Sequence, residues 1–168
     1  MRMDSKEIER LAHNDSSISQ MYKGCFPADV FPDSVEKDSF YVINLDTSDK
    51  PGSHWCLCFV NAYMKGLWID SFGRMSAPLK LLKSFSNQHV DLYFNNEQLQ
   101  SFYTTVCGFY VLHFMTNLAR GKPLSEILKQ FDEDYISNDR LVVEAVSHYF
   151  DIPVRPIIDI EYLLQDAQ

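Results

Sequence analysis

The first third of the chain alternates between helix-like and strand-like spacing of its apolar residues. After the cap-like Asp4, Ile8 and Leu11 lie about one helical turn apart, which predicts a short surface helix within residues 1–15. Residues 21–33 then mix aromatic side chains with two prolines and a glycine. This mixture predicts a packed irregular segment rather than a regular element.

Three strands are predicted in the next stretch. The β-branched and aromatic residues at 39–44 indicate a strand that leads into a polar, exposed loop at 46–52. Residues 53–61 and 67–73 predict a hairpin of two mostly buried strands with its turn near residues 64–66. In an antiparallel hairpin the start of the first strand lies beside the end of the second.

The second half of the chain is predicted to be mainly helical. Pro78 opens a helix at residues 77–83, and residues 90–94 alternate as a half-exposed strand. Two further helices are predicted at residues 124–131 and 138–150, the second with an Asn or Asp cap, before a peripheral tail at residues 153–168.

Composition narrows the class of protein. The 168 residues fit one domain, predicted to span residues 1–168, and no apolar run is long enough to cross a bilayer, so no membrane partner is expected. A net charge of -8 argues against nucleic acid as a partner. Four cysteines without a C-x-x-C pattern predict reduced thiols and no metal site. We expect a monomer in a reducing compartment.

The apolar residues that follow Cys107 predict a helix that is buried nearly all round. A thiol at the first turn of a helix feels the positive end of the helix dipole, which lowers its pKa and favours the nucleophilic thiolate. Gly108 lacks a side chain and would let a substrate backbone approach closely. The alternative is that Cys107 is a small core residue.

The predicted hairpin places two polar residues side by side. His54 enters the first strand and Asp70 leaves the second, so the carboxylate can accept a hydrogen bond from the imidazole and orient it. Each residue alone fits a turn or a cap equally well. Together with Cys107 they supply a nucleophile, a base and an orienting carboxylate, the set required for covalent catalysis.

Gln100 is the predicted oxyanion donor. It lies seven positions before Cys107, near enough along the chain for its amide to reach the same pocket. Gln98 and Asn96 are alternative donors from the same polar loop.

The order of these residues resembles the adenovirus maturation protease family (adenain) and its relatives in virophages and polinton transposons. The likeness covers roughly residues 13–131 and rests on Gly52-Ser53-His54-Trp55, Asp70-Ser71-Phe72-Gly73, Gln100 and Cys107-Gly108. It implies an α+β fold of the papain-like broad class, with a central mixed β-sheet flanked by helices. It also implies Cys107 as nucleophile, His54 as general base, Asp70 as its orienting partner, Gln100 in the oxyanion hole and Trp55 along the cleft.

The resemblance implies a cysteine endopeptidase that cuts viral or transposon-encoded capsid or other structural precursors at small, glycine-containing sites during virion maturation. Its location would be the virion or the infected host cell. Proteases that process ubiquitin-like modifiers share the residue order and remain an alternative, as does a non-enzymatic α+β interaction module.

No cofactor is expected. Adenain carries a glutamate where this chain has Asp70, and it is stimulated by DNA and by a disulfide-linked viral peptide. The net negative charge of this chain argues against a DNA activator. The absence of a cysteine between Cys58 and Cys107 argues against a peptide activator linked by a disulfide bond. A noncovalent peptide activator stays open.

Overall fold

The computed structural model describes residues 2–158. The elements in chain order are α1 (Ser5–Asn14), α2 (Ser16–Ser19), β1 (Tyr22–Phe26), β2 (Ser39–Asn44), β3 (Trp55–Val60), β4 (Gly66–Ile69), α3 (Leu79–Asn87), β5 (Leu92–Phe94), α4 (Cys107–Leu118), α5 (Leu124–Leu128) and α6 (Tyr135–Phe150). Of the helices in this part of the chain, none combines the length and apolar composition needed to cross a bilayer.

The five strands form one mixed sheet in the order β1-β2-β3-β4-β5. Strands β2, β3 and β4 pair antiparallel, whereas β1 joins β2 and β5 joins β4 in parallel. The predicted hairpin is therefore the β3–β4 pair, with Leu57 opposite Ile69. A mixed sheet with helices packed around it confirms the predicted α+β fold.

Alternate side chains of the strands supply two separate apolar cores, because successive residues of a strand point to opposite faces. Phe40 and Leu57 belong to the core that α1, α4 and α6 cover, whereas Tyr41 and Trp68 belong to the core that α3 covers. Nearly every residue of α4 is buried, as its apolar sequence predicts. Helix α4 is thus a rigid support for the residue at its start.

One predicted loop is a strand. The segment at residues 21–33 contains β1, which pairs with β2 through an irregular register between Tyr22 and Gly24. Gly24 has φ 133°, a backbone conformation that residues with a side chain rarely adopt. Because β1 is an edge strand with one neighbour, it tolerates the glycine and the polar residues that made the segment look irregular. Phe26 and Phe31 do pack together, edge to face.

The last helix begins earlier than predicted. Helix α6 starts at Tyr135 after Asp134, whose carboxylate accepts a hydrogen bond from the Ser137 amide. The predicted cap residues Asn138 and Asp139 lie inside the helix, where both are buried and hydrogen-bonded to other parts of the chain. Tertiary partners explain two polar residues that otherwise resemble a cap.

Other boundaries shift by a few residues. Helix α3 follows Pro78 and extends to Asn87, and the predicted strand at residues 90–94 begins at Leu92. The single domain and the peripheral tail at residues 153–168 stay predictions, since residues from 159 onward lie outside the described part of the chain.

Candidate active site

The hairpin brings His54 and Asp70 together as predicted. His54 directly precedes β3, Asp70 directly follows β4, and His54 Nε2 lies 2.6 Å from Asp70 Oδ1. Both side chains are buried. The Asp70 side chain is fixed by the Phe72 amide, which also donates to its Oδ1. The Asp70 main chain is fixed by the Asn95 side chain: the Asp70 N–H donates to Asn95 Oδ1, and Asn95 Nδ2 donates to the Asp70 carbonyl oxygen, both at 2.8 Å. The carboxylate therefore holds the imidazole in a set orientation.

Cys107 is the first residue of α4 and reaches the same place. Its Sγ accepts a hydrogen bond of 3.5 Å from the Trp55 amide, the residue next to His54. Burial alone would raise the pKa of the Cys107 thiol, but the hydrogen bond and the charge of His54 outweigh burial and hold the pKa below its ordinary value. The geometry thus favours the thiolate.

The pKa of His54 moves in the complementary direction. Burial alone would lower the pKa of the imidazole, but hydrogen bonds to Asp70 and Cys107 raise it well above its ordinary value. A thiol with a lowered pKa beside an imidazole with a raised pKa forms a thiolate–imidazolium pair. Such a pair combines a ready nucleophile with a ready proton donor.

A cavity of about 440 Å³ opens on this pair. Phe72 stacks on the His54 ring with centroids 4.6 Å apart, and Phe102 stacks on Phe72 at 5.1 Å. Phe102 is 58% exposed, so an aromatic wall runs from the imidazole to the protein surface. A peptide entering the cavity would meet this wall beside the nucleophile.

Gln100 lines the same cavity and is fully buried. Ser71 Oγ donates to its Oε1 at 2.6 Å, and its Nε2 donates to Thr104 O at 3.1 Å and Thr104 Oγ1 at 3.2 Å. These contacts fix the amide before any substrate arrives. Neither alternative donor lines this cavity: Gln98 supports the main chain of Gln100, and Asn96 is exposed.

Trp55 and Gly108 are not brought into the catalytic cavity. The Trp55 indole donates to the main-chain oxygen of Met3 at 2.9 Å, and Trp55 lines a separate cavity of about 370 Å³ under the N-terminal segment. A Cβ on Gly108 would lie 2.8 Å from Met3 Cβ. Glycine is thus needed here to seat Met3, which occupies the space expected for a substrate backbone.

Cysteines and histidines other than Cys107 and His54 lie away from the cavity, with one exception. Cys25 contacts the Tyr22 hydroxyl, Cys58 is buried in the core under α3, and His113 pairs with Gln130. Cys56 is the exception, since it is buried and contacts His54. His89 and His148 are not among the residues that line the cavity.

Several residues that position the site had no predicted role. Asn95, Ser71 and Thr104 position the predicted residues, but each is an ordinary polar residue in a loop until the fold shows its partner. Arg2 lines the catalytic cavity and donates to the main-chain oxygens of Gly52 and Ser53. No pattern along the chain links an N-terminal arginine to a loop 50 residues away.

Two solved structures are similar to the chain. ChlaDub1 from Chlamydia trachomatis has 18% identity and a TM-score of 0.46, covering 62% of this chain and 52% of that one. The pS273R protease of ASFV has 19% identity and a TM-score of 0.41, covering 61% of this chain and 43% of that one. The chain thus spans about half the length of these structures, and at these scores neither assigns a role to a residue. No family model and no curated protein matches the chain.

Proposed function

We propose that this protein is a cysteine protease. The observation that carries the proposal is that Cys107 and His54 line one cavity while the buried Asp70 holds the His54 imidazole at 2.6 Å, with the pKa values of the thiol and the imidazole shifted towards an ion pair. A cysteine that only filled the core would need neither a cavity nor a charged partner.

Each residue has a defined role in the proposed reaction. The Cys107 thiolate attacks the scissile carbonyl carbon, and His54 gives its proton to the departing amine to leave an acyl-enzyme. His54 then takes a proton from water, which attacks the thioester and releases the second product. The oxygen that becomes negative is met by the backbone N–H groups at the start of α4 and by the Gln100 amide, which releases one of its hydrogen bonds to Thr104 to reach it.

The substrate we propose is a protein, in particular a viral or transposon-encoded capsid or other structural precursor cut at a small, glycine-containing site. The residue order that resembles the adenain family supports this choice. We expect activity in the virion or infected cell, without a cofactor, a DNA activator or a disulfide-linked peptide. The alternative substrate class is a ubiquitin-like modifier joined to its target.

The test compares the cleavage of two panels of substrates by the purified protein and two of its variants. Capsid precursors and modifier fusions are incubated with the wild type, with Cys107→Ala and with Cys58→Ala as the matched control. We expect the wild type and Cys58→Ala to cleave the precursors. Cys107→Ala should not cleave them, because it lacks the nucleophile. Preferred cleavage of modifier fusions would favour deconjugation instead.

A thiol-directed covalent probe separates the enzyme from an interaction module. The wild type should be labelled at Cys107 far faster than at its other cysteines, since the thiolate is the reactive form. Equal, slow labelling of all four cysteines, together with no cleavage in either panel, would contradict the protease proposal.

A further inference from the structure

Three side chains that commonly bind metals, one of them the catalytic histidine, lie close together below the catalytic cavity. His54, Cys56 and Asp70 each offer a ligand atom, and these nitrogen, sulfur and oxygen atoms all lie within 4.8 Å of one another. All three residues are buried. We propose that they form a binding site for Zn²⁺ or a similar thiophilic divalent cation, and that occupancy of this site switches off the thiol of Cys107.

The strand geometry explains how the cluster forms. His54 and Cys56 are two positions apart at the start of β3, so their side chains share one face of the sheet. Asp70 follows the neighbouring strand β4 and meets the imidazole from the side. The sequence predicted no metal because its cysteines fit no zinc spacing, and here the ligands come from two strands with only one cysteine among them.

An unpaired oxygen points to a cationic ligand. Asp70 is fully buried, and its Oδ1 already accepts from His54 and from the Phe72 amide. Its Oδ2 is buried and has no hydrogen-bond partner among residues 2–158. A buried polar oxygen without a partner is costly, and a carboxylate oxygen is a common ligand of Zn²⁺.

The chemistry of the three ligands suits zinc better than a hard cation. Zinc binds imidazole nitrogen, thiolate sulfur and carboxylate oxygen at about 2.0–2.3 Å, usually with four ligands, whereas Ca²⁺ and Mg²⁺ prefer oxygen alone. Ligand atoms within 4.8 Å reach tetrahedral spacing by a local rearrangement in which His54 gives up its 2.6 Å hydrogen bond to Asp70 Oδ1. The Cys56 thiol proton and the extra proton of the His54 imidazolium both leave to solvent on binding, and water from the cavity takes the fourth position.

The effect on activity rests on the proposed function. Once coordinated, the imidazole no longer holds the Cys107 thiolate or delivers a proton to the leaving amine. Cation release restores both roles. Cys56, which has no part in the proposed reaction, would then be the residue that makes the enzyme sensitive to zinc.

Metal binding is tested without any substrate. Chelator-treated protein is titrated with Co²⁺, whose absorption reports thiolate ligation. The wild type, Cys107→Ala and the matched control Cys58→Ala should show the thiolate-to-cobalt band, because Cys58 lies on the same strand and is equally buried but does not contact His54. Cys56→Ala should lose this band and bind Zn²⁺ at least tenfold more weakly. Melting curves check that each variant folds, and Cys56→Ser replaces Cys56→Ala where it does not.

Activity is tested separately with the same variants. Zinc should inhibit the wild type and Cys58→Ala, while Cys56→Ala keeps its activity at the same free zinc concentration. Equal inhibition of Cys56→Ala would show that zinc acts through Cys107 and His54 alone and would overturn the proposal, as would a wild type that binds no Co²⁺. If no peptidase activity is found, the cobalt titration still decides the metal site.

Discussion

At the residue scale, the chemistry depends on how Cys107 and His54 share one proton. The thiolate form exists above the pKa of Cys107, and the imidazolium form exists below the pKa of His54. Because the first pKa is lowered and the second is raised, the pH range in which both charged forms are present together is widened at both ends. The protein is thus set up for attack before substrate binds.

The first prediction concerns pH and Asp70. The hydrogen bond from His54 to Asp70 raises the pKa of the imidazole, so Asp70→Asn should move the alkaline limb of kcat/KM to lower pH. It should leave measurable activity, whereas His54→Ala should lower kcat/KM by about 10²–10⁴-fold, since it removes the proton donor. Rate profiles over pH measure both effects. An unchanged alkaline limb in Asp70→Asn would contradict the assigned role.

The second prediction concerns the oxyanion donor. Gln100→Ala should lower kcat by about 10²-fold or more with little change in KM, because the amide meets negative charge only in the transition state. Gln98→Ala is the matched control and should do much less, since its side chain reaches only the main chain of Gln100. Steady-state kinetics that respond to Gln98 rather than Gln100 would reverse the assignment.

The residues that could be predicted from the sequence stand at the boundaries of regular elements. His54, Asp70 and Cys107 each occupy the first or last position beside a strand or helix, and the predicted hairpin already indicated that the ends carrying His54 and Asp70 meet. Cys56 and Asn95 could not be predicted, because their importance depends on atoms that another part of the chain places beside them. Trp55 and Gly108 match the residue order of the family that the chain resembles, but in the structure both contact Met3. That contact could not be predicted, because Met3 is far from both residues in the sequence.

At the element scale, α6 supports the loop that precedes the nucleophile. Asp139 in the first half of α6 accepts from Thr104 Oγ1 and from the Tyr110 hydroxyl, both at 2.8 Å, and Thr104 in turn accepts from the Gln100 amide. A buried carboxylate thus holds together α6, α4 and the loop between β5 and α4. The sequence predicted the start of this helix at residue 138, because its two inner polar residues resembled a cap.

The third prediction follows from the charge of that carboxylate. Burial raises the pKa of Asp139 from 3.8 to about 6, although its hydrogen bonds oppose the change. A raised pKa means that the folded state binds the proton more tightly, so the stability this group contributes is present below about pH 4 and is lost as pH rises through 6. The full loss is about 3 kcal/mol.

Denaturant unfolding of the wild type and Asp139→Asn measures this effect by difference. The free energy of unfolding of the wild type relative to the variant should fall by up to about 3 kcal/mol between about pH 4 and pH 7. The other carboxylates are the same in both proteins, so their contributions to the free energy of unfolding cancel in the difference. A difference that stays constant over this range would show that Asp139 is ionised throughout.

At the scale of the whole molecule, the N-terminal segment closes the fold across the sheet. Met3 is 1% exposed, packs on Gly108 of α4, and accepts a hydrogen bond from Trp55 of β3. The start of the chain is therefore part of the core beside the active site. An edge strand and a terminal segment of this kind leave weak sequence patterns, because few neighbours constrain their residues.

The fourth prediction tests this packing. Gly108→Ala would place a methyl group 2.8 Å from Met3 Cβ and should destabilise the protein by about 1–3 kcal/mol, the usual result of overpacking a core. Thermal melting measures the loss. In a Met3→Gly background the same substitution should cost less, because the clashing atom is gone. An equal loss in both backgrounds would place the strain elsewhere.

The order of the strands in the sheet is the order of the strands in the chain. Strands β2, β3 and β4 can find their partners by closing short loops, and contacts between nearby residues form quickly, whereas the contact of Met3 with Gly108 joins residues more than 100 positions apart. We therefore expect the sheet to form early during refolding and the catalytic cavity to form last. After dilution from denaturant, the Trp68 fluorescence of a Trp55→Phe variant should recover before Cys107 of the same variant regains its fast reaction with a thiol probe.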